Sequence, residues 1–552
     1  MTTFDLGPYA RSITTNSDLA KAEFDQGLKW MFCFNHGEAI ACFNRALGHD
    51  PDCAMAHWGV AYAAGPNYNL PWHLYDPKGK QKALAMAYDA MQEAVKRVDG
   101  LTEIEQALIK ALPHRYPQRE AVEDQSDWDK AFTVEMRTVF ERFPEDFEIR
   151  TVFVEAIMNE TPWKMWNVQT GEVAEGAKTD EAIAVLEEAF ETMPASWEHP
   201  GLLHLYTHLM EMSPFPERAL RVGDALREVS PEAGHLIHMP THIDVLCGNY
   251  RDVLTYNKRA LVADRKFLDY AEAPGIYLLY VMHNFHFAVY GAMFLGQYEE
   301  ALAHAEELIA RVPEAVLRVE SPPMADFLEA HLTHKQHVMV RFGKWQEIIA
   351  QDLPEDQELY CSVTAMTLYA QSVAHSALGN LAEAEATKSA FLAAKARMPE
   401  SRRVHNNRVI DLLDVAEAML EGELEYRKGN YDLAYGHLRQ AVELDDALPY
   451  DEPWGWMQPA RHALGALLME QGHFAEAEAV YRADLGLDDT LARSCQHPGN
   501  VWSLHGLYAC LTERGETVEA KHIKLLLDQA VARATVPIKA SCFCSQVAMA
   551  AE

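Results

Sequence analysis

No stretch of this chain approaches the roughly eighteen uncharged apolar residues of a membrane-spanning helix, so no such span is expected. Basic residues are scarce: 48 Lys and Arg stand against 82 Asp and Glu, a formal charge of −34. Nucleic acids and anionic membranes are held by clustered Lys and Arg, so neither is expected as a partner. A metal cation or a basic peptide remains compatible with an acidic surface. There is no phosphate-binding glycine loop and no nucleophile elbow, which removes the nucleotide-dependent and serine-hydrolase readings. Residues 1–17 are polar and lack the basic start and apolar stretch of a secretory signal, so a cytoplasmic location is expected. Cysteines are few, nine in all and odd in number. Cys33, Cys42, Cys53, Cys247, Cys361 and Cys510 lie in apolar helical contexts and read as reduced core thiols. Cys542 and Cys544 differ: the string Ser-Cys-Phe-Cys-Ser is a Cys-x-Cys pair suited to a soft metal or to redox cycling.

What the chain does have is a repeat. An apolar helix, a short turn of the form Gly-x-aromatic, then Glu-Ala and a second helix recur along it. Leu295-Gly296-Gln297-Tyr298-Glu299-Glu300-Ala301 shows the unit most clearly, and related turns centre on Gly248, Gly343, Gly379, Gly429, Gly472 and Gly515. Glycine after the first helix suits a left-handed C-cap, and the small Ala of the second helix allows close helix approach. Each pair cannot bury its apolar stripe alone, so neighbours must stack. The turn glycines are 48, 47, 36, 50, 43 and 43 residues apart, longer than the roughly 34 of an ideal tetratricopeptide unit.

The chain resembles the tetratricopeptide family over residues 17–115 and 179–535. The resemblance implies an all-α, tetratricopeptide-like α-solenoid, a right-handed superhelix of helix pairs whose first helices line a concave face. Residues 1–16 form an N-terminal segment, 17–115 the first repeat helices, and 116–178 an irregular helical insertion or lid. Residues 179–535 form the superhelix with the histidine-rich face, and 536–552 a tail with the Cys-x-Cys pair.

Of 25 histidines, 12 fall between His199 and His337. Counted back from the turn glycines they fall into register. His238, His286, His462 and His505 lie ten residues before Gly248, Gly296, Gly472 and Gly515. His235 and His283 lie thirteen before Gly248 and Gly296, and His242 and His337 six before Gly248 and Gly343. Where Pro214 takes the glycine's place, His204 is ten back, His208 six and Glu211 three. Offsets of 13, 10, 6 and 3 share one helix face. His334 and His331, nine and twelve before Gly343, are one step out of phase. The expectation is a patch of imidazoles from successive repeats inside the groove.

Two strings sharpen it. In Glu198-His199-Pro200-Gly201-Leu202-Leu203-His204-Leu205-Tyr206-Thr207-His208-Leu209-Met210-Glu211, the His-x-x-x-His core sets two imidazoles one turn apart with a carboxylate on the next turn, a chelating arrangement for copper, zinc or iron. In Gly234-His235-Leu236-Ile237-His238-Met239-Pro240-Thr241-His242, Pro240 favours a kink or a helix start and leaves the three imidazoles free to converge. These strings, with His36-Gly37-Glu38-Ala39 and the Cys-Phe-Cys tail, resemble a group of bacterial and fungal tetratricopeptide proteins, and the resemblance brings no activity with it. The metal reading assigns His204, His208 and Glu211 to one ligand set and His235, His238 and His242 to another, flanked by His283 and His286. His199, His334, His337, His462, His505, Cys542 and Cys544 are additional ligand or pocket candidates. Three imidazoles with an open position would activate water or bind oxygen, making the chain a metal-dependent oxidoreductase or hydrolase acting on a small molecule. The alternative is a peptide- or protein-binding scaffold whose groove is a hydrogen-bonded network of His and Tyr with no metal.

Overall fold

A computed structural model describes residues 4–271 and 275–545. The chain divides into two compact units, Met1–Ile243 with Arg259–Val281, and Asp244–Lys258 with Met282–Glu552. Residues 1–3 of the N-terminal segment and 546–552 of the tail lie outside the described residues.

Both units are all-α arrays of tetratricopeptide-like helix pairs. In the first, helices pack on their sequence neighbours, as Asp18–Phe32 does on His36–His49, and alternate helices also meet, as Phe147–Glu160 does Pro200–Met210. In the second, Cys361–Ala377 packs on Leu381–Lys395 and on Val409–Arg427, and Ala460–Glu470 on Phe474–Leu485 and Val501–Glu513. Such nearest-neighbour stacking is the packing rule of repeat proteins. Residues 116–178 contain a helix pair, Ser126–Arg142 and Phe147–Glu160, which packs on Glu103–Arg115 before it and Thr179–Thr192 after it. The path is irregular over 116–125 and 161–178, and in the latter Trp166 Nε1 donates to the Leu209 carbonyl at 2.6 Å. Among the described residues no helix is long and apolar enough to cross a membrane.

The turns explain the repeat. Gly248, Gly296, Gly343, Gly379, Gly429, Gly472 and Gly515 all have positive φ, between 65° and 83°. At Gly379 the amide donates to the Ser376 carbonyl at 3.0 Å and the Asn380 amide to the His375 carbonyl at 2.8 Å. That pair of bonds is the Schellman closure, which satisfies the orphan carbonyls of the helix end. The alanines after these turns, including Ala301, Ala384, Ala434 and Ala477, are wholly buried, as close helix approach requires.

The first turn of the array breaks this rule. Phe34 occupies the glycine slot after Asp18–Phe32, with φ 57°. Its amide donates to the Met31 carbonyl and the Asn35 amide to the Trp30 carbonyl, each at 3.0 Å. A left-handed conformation costs a non-glycine residue about 1–2 kcal/mol, so the ring must be wanted where it is.

Candidate metal centre

In the first unit the helix Pro200–Met210 starts with His199 as its cap: the His199 Nδ1 accepts from the Leu202 amide at 3.1 Å, and Pro200 fills the first helical position. His204 and His208 then project from one face, four residues apart. His235 arrives from the short helix Gly234–His238, whose first residue lies so close to the Asp264 carboxylate that a Cβ there would collide with it. His204, His208 and His235 each place a ring nitrogen within 4.8 Å of the other two, and all three are 1% exposed.

The outer hydrogen bonds set the tautomers. His204 Nδ1 donates to the Phe32 carbonyl at 2.7 Å, one of the orphan carbonyls at a helix end. His208 Nδ1 faces Glu211 Oε1 at 2.9 Å and donates to it. Each bond leaves Nε2 as a bare lone pair. The Nε2 atoms of His204 and His208 and both ring nitrogens of His235 are buried without a hydrogen-bond partner among the described residues. Unpaired buried polar atoms cost about 1–3 kcal/mol each, so four of them weigh against the roughly 5–15 kcal/mol that holds an ordinary domain together.

Burial keeps these rings neutral. It pushes His208 down to about 3 and, with neighbouring imidazoles adding, pushes His204 and His235 well below the usual histidine value. Neutral imidazole is the form that binds metal. Aromatic rings wall the triad: Phe34 lies 4.5 Å from His204 and stacks at 5.7 Å on both His208 and His235. Tyr68 is 5.0 Å from His208 and Tyr280 is 4.7 Å from His235. Trp163, another non-glycine residue with positive φ (59°), stacks on Tyr68.

Four of the residues assigned from the sequence stand outside the triad. Glu211 is not beside the lone pairs. Its carboxylate takes His208 Nδ1 on one oxygen and His242 Nδ1, at 3.0 Å, on the other, and so orients both rings. Burial raises its proton affinity, and His242 opposes that. The Pro240 break falls where the sequence predicts, between Gly234–His238 and Pro240–Leu246. His238 and His242 do not complete the triad, because their Nε2 atoms face each other at 2.9 Å. His199 is occupied as a helix cap, with its Nε2 3.6 Å from Glu148.

In the second unit His283 and His286 meet His405, and His286 also meets His331 and His334. The out-of-phase pair joins for a backbone reason. Glu329–Thr333 is a 3₁₀ turn, in which residues three apart eclipse, so His331 Nδ1 comes within 3.3 Å of His334 Nε2. His405 is invisible to the glycine register. It tips the hairpin formed by Arg403–Val404 and Asn407–Arg408, with φ 46°. The only clue in the sequence was the polar turn His405-Asn406-Asn407 after Val404.

The remaining candidates of this unit lie outside those groups. His337 packs edge-on against Trp456 at 4.8 Å. His462 is saturated, with Arg341 Nη1 on Nδ1 at 3.0 Å and Asp484 Oδ2 on Nε2 at 2.9 Å. His505 is half-buried, with its Nδ1 unpaired among the described residues. Cys542 and Cys544 are joined to each other as a disulfide rather than offered as two thiolates, and the Ser541 Oγ beside them donates to the His462 carbonyl at 2.8 Å. Cys33, Cys42, Cys53, Cys361 and Cys510 are buried thiols outside any disulfide, and Cys247 is half-buried.

No family model and no curated protein matches the chain. Solved structures do. The APC/C hetero-tetramer Cut9–Hcn1 matches at 11% identity over 91% of this chain and 78% of that one, TM-score 0.31. The human IFIT1 dimer with m7Gppp-AAAA matches at 12% identity over 88% and 90%, TM-score 0.31. Naa15/Naa10 bound to HypK-THB matches at 13% identity over 97% and 74%, TM-score 0.23. Likeness of this degree carries no ligand or partner across.

Proposed function

We propose that this tetratricopeptide-like protein is a metalloprotein whose first unit holds a transition metal through His204, His208 and His235. One observation carries the reading: His204 and His208 spend their Nδ1 protons on Phe32 and Glu211, so that two bare Nε2 lone pairs converge with His235, whose ring nitrogens meet no partner among the described residues, in an aromatic-walled site. Carboxylate or carbonyl behind a ligating imidazole is the usual outer support of a metal site. The all-imidazole set suits copper or zinc better than iron, since the single carboxylate nearby supports a ring. Three protein ligands leave a position open for water, oxygen or a small substrate, the arrangement of catalytic rather than structural centres. What this chain's residues supply is orientation by Phe32 and Glu211, and exclusion of water by Phe34, Tyr68 and Tyr280. The peptide-scaffold alternative needs ligating side chains that a peptide can reach, and these imidazoles are 1% exposed.

The test is the metal content of untagged, full-length protein by mass spectrometry. About one equivalent or more per chain is expected, with about one equivalent lost in both His208→Ala and His235→Ala. Less than about 0.2 equivalents after incubation with copper or zinc, or unchanged content in both variants, would overturn the reading.

A further inference from the structure

The second unit carries its own cluster of imidazoles, with His286, His331 and His334 buried and His283 and His405 half-buried, and its chemistry differs from the first. His286 stacks on His334 with ring centres 4.1 Å apart and lies 5.7 Å from His331. His405 lies 4.8 Å from His331, and its Nε2 is 3.0 Å from His283 Nδ1. Among the described residues no carboxylate shares the groups these rings form. A thioether touches the cluster: Met457 Sδ is 2.7 Å from His286 Nε2. The Nδ1 atoms of His286 and His334 are buried and unpartnered among the described residues.

Two irregular segments deliver the parts that the helices do not. Asn407 Nδ2 donates to the Pro449 carbonyl at 3.2 Å and to Asp451 Oδ2 at 3.0 Å, while Asn406 Nδ2 donates to the Tyr450 carbonyl at 3.1 Å. Gly455 runs so close to Asn407 that a Cβ would sit 2.7 Å from its amide. The hairpin bearing His405 and the segment bearing Met457 are therefore clamped together. His405 holds a backbone conformation at φ 46° that glycine or asparagine normally takes. A core that needed only bulk would use Leu or Phe here. Clustered imidazoles, two of them with an Nδ1 that meets no partner among the described residues, and a sulfur beside them, are a ligand set.

We propose that His286, His331, His334 and Met457, with His283 and His405 beside them, form a second metal site, selective for copper(I) over zinc(II). Thioether sulfur is a soft donor that favours monovalent copper, and an all-neutral ligand set suits the lower ionic charge. The site is carried by different residues from the centre of the first unit and stands or falls separately from it.

The experiment titrates metal-free, untagged, full-length protein with copper(I) against a chromophoric copper(I) chelator, and separately with zinc(II) against a zinc chelator. Met457→Leu conserves volume and removes only the sulfur. It is expected to weaken one copper(I) equivalent by about tenfold or more and leave zinc(II) binding unchanged. His405→Ala, at the hairpin tip, is expected to weaken the same equivalent and serves where the leucine variant misfolds by circular dichroism. His235→Ala is expected to leave it untouched. Copper(I) affinity unchanged in Met457→Leu and His405→Ala overturns the second site, whatever happens at the first. Loss of that equivalent in these variants, with no response of any metal to His235→Ala, supports the second site and overturns the first.

Discussion

Phe34 offers the sharpest test of why the first site is built as it is. The residue is 6% exposed, and its ring covers all three imidazoles of the triad. Truncating a buried Phe to Ala costs about 3–5 kcal/mol in lost burial and cavity. Alanine would keep the left-handed strain, about 1–2 kcal/mol, because φ 57° is set by the turn. Glycine would lose the same ring but relieve the strain, offset by its greater freedom in the unfolded chain, about 0.4–1 kcal/mol. Phe34→Gly is therefore expected to be more stable than Phe34→Ala by about 0.5–1 kcal/mol, although both are less stable than the wild type. In a helix interior the order would reverse. Urea midpoints of the two variants, compared at equal slope so that the shared cavity term cancels, read the difference directly. Neither substitution removes a nitrogen, so both variants should keep their metal. Equal midpoints, or alanine above glycine, would refute the claim that strain is held at this turn to place a ring over the triad.

Other outcomes follow from the same geometry. Glu211→Gln removes the charge behind His208 and His242 and should weaken metal binding in the first unit by about 10–100-fold, measured by chelator competition; unchanged affinity would show that the carboxylate is not a support. Burial holds His208 and His337 at about 3 and His405 at about 4, against about 6.5 in an unfolded chain. Below pH 6.5 the unfolded chain takes protons that the fold refuses, so stability falls by up to about 1.4 kcal/mol per pH unit for each such ring as the pH drops toward those values. The urea midpoint of metal-free protein should decline steeply from pH 6.5 to 5, and a flat profile would contradict neutral burial. Gly472→Ala meets open space at φ 79° and should cost only the conformational term, about 1–2 kcal/mol. Gly234→Ala drives a methyl into Asp264 and should also disturb metal binding through His235; thermal melts and metal content of the two variants separate these effects.

The glycine register made the array, all three imidazoles of the first cluster and two of the second legible before any coordinates. All seven turn glycines are left-handed caps, and His204, His208, His235 and His286 lie where counting from them, or from Pro214, puts an inward face. Counting failed where the backbone leaves the α-helical period. The 3₁₀ turn at Glu329–Thr333 shifts phase by enough to bring His331 and His334 onto His286. The hairpin of His405 and the irregular segment of Met457 have no period to count. Equal register also did not mean equal surroundings: His462 shares the slot of His286 but faces Arg341 and Asp484, which saturate it. Phe34 hid because it replaces the very glycine by which the other turns are recognised.

The most direct measurement of the central claim is the X-ray absorption fine structure of the metal bound by full-length protein. The account expects a first shell of nitrogens at about 2.0–2.1 Å with the outer scattering of imidazole rings, reduced by one ring in His235→Ala. A first shell of oxygen without imidazole scattering, or a spectrum identical in wild type and His235→Ala, would contradict it.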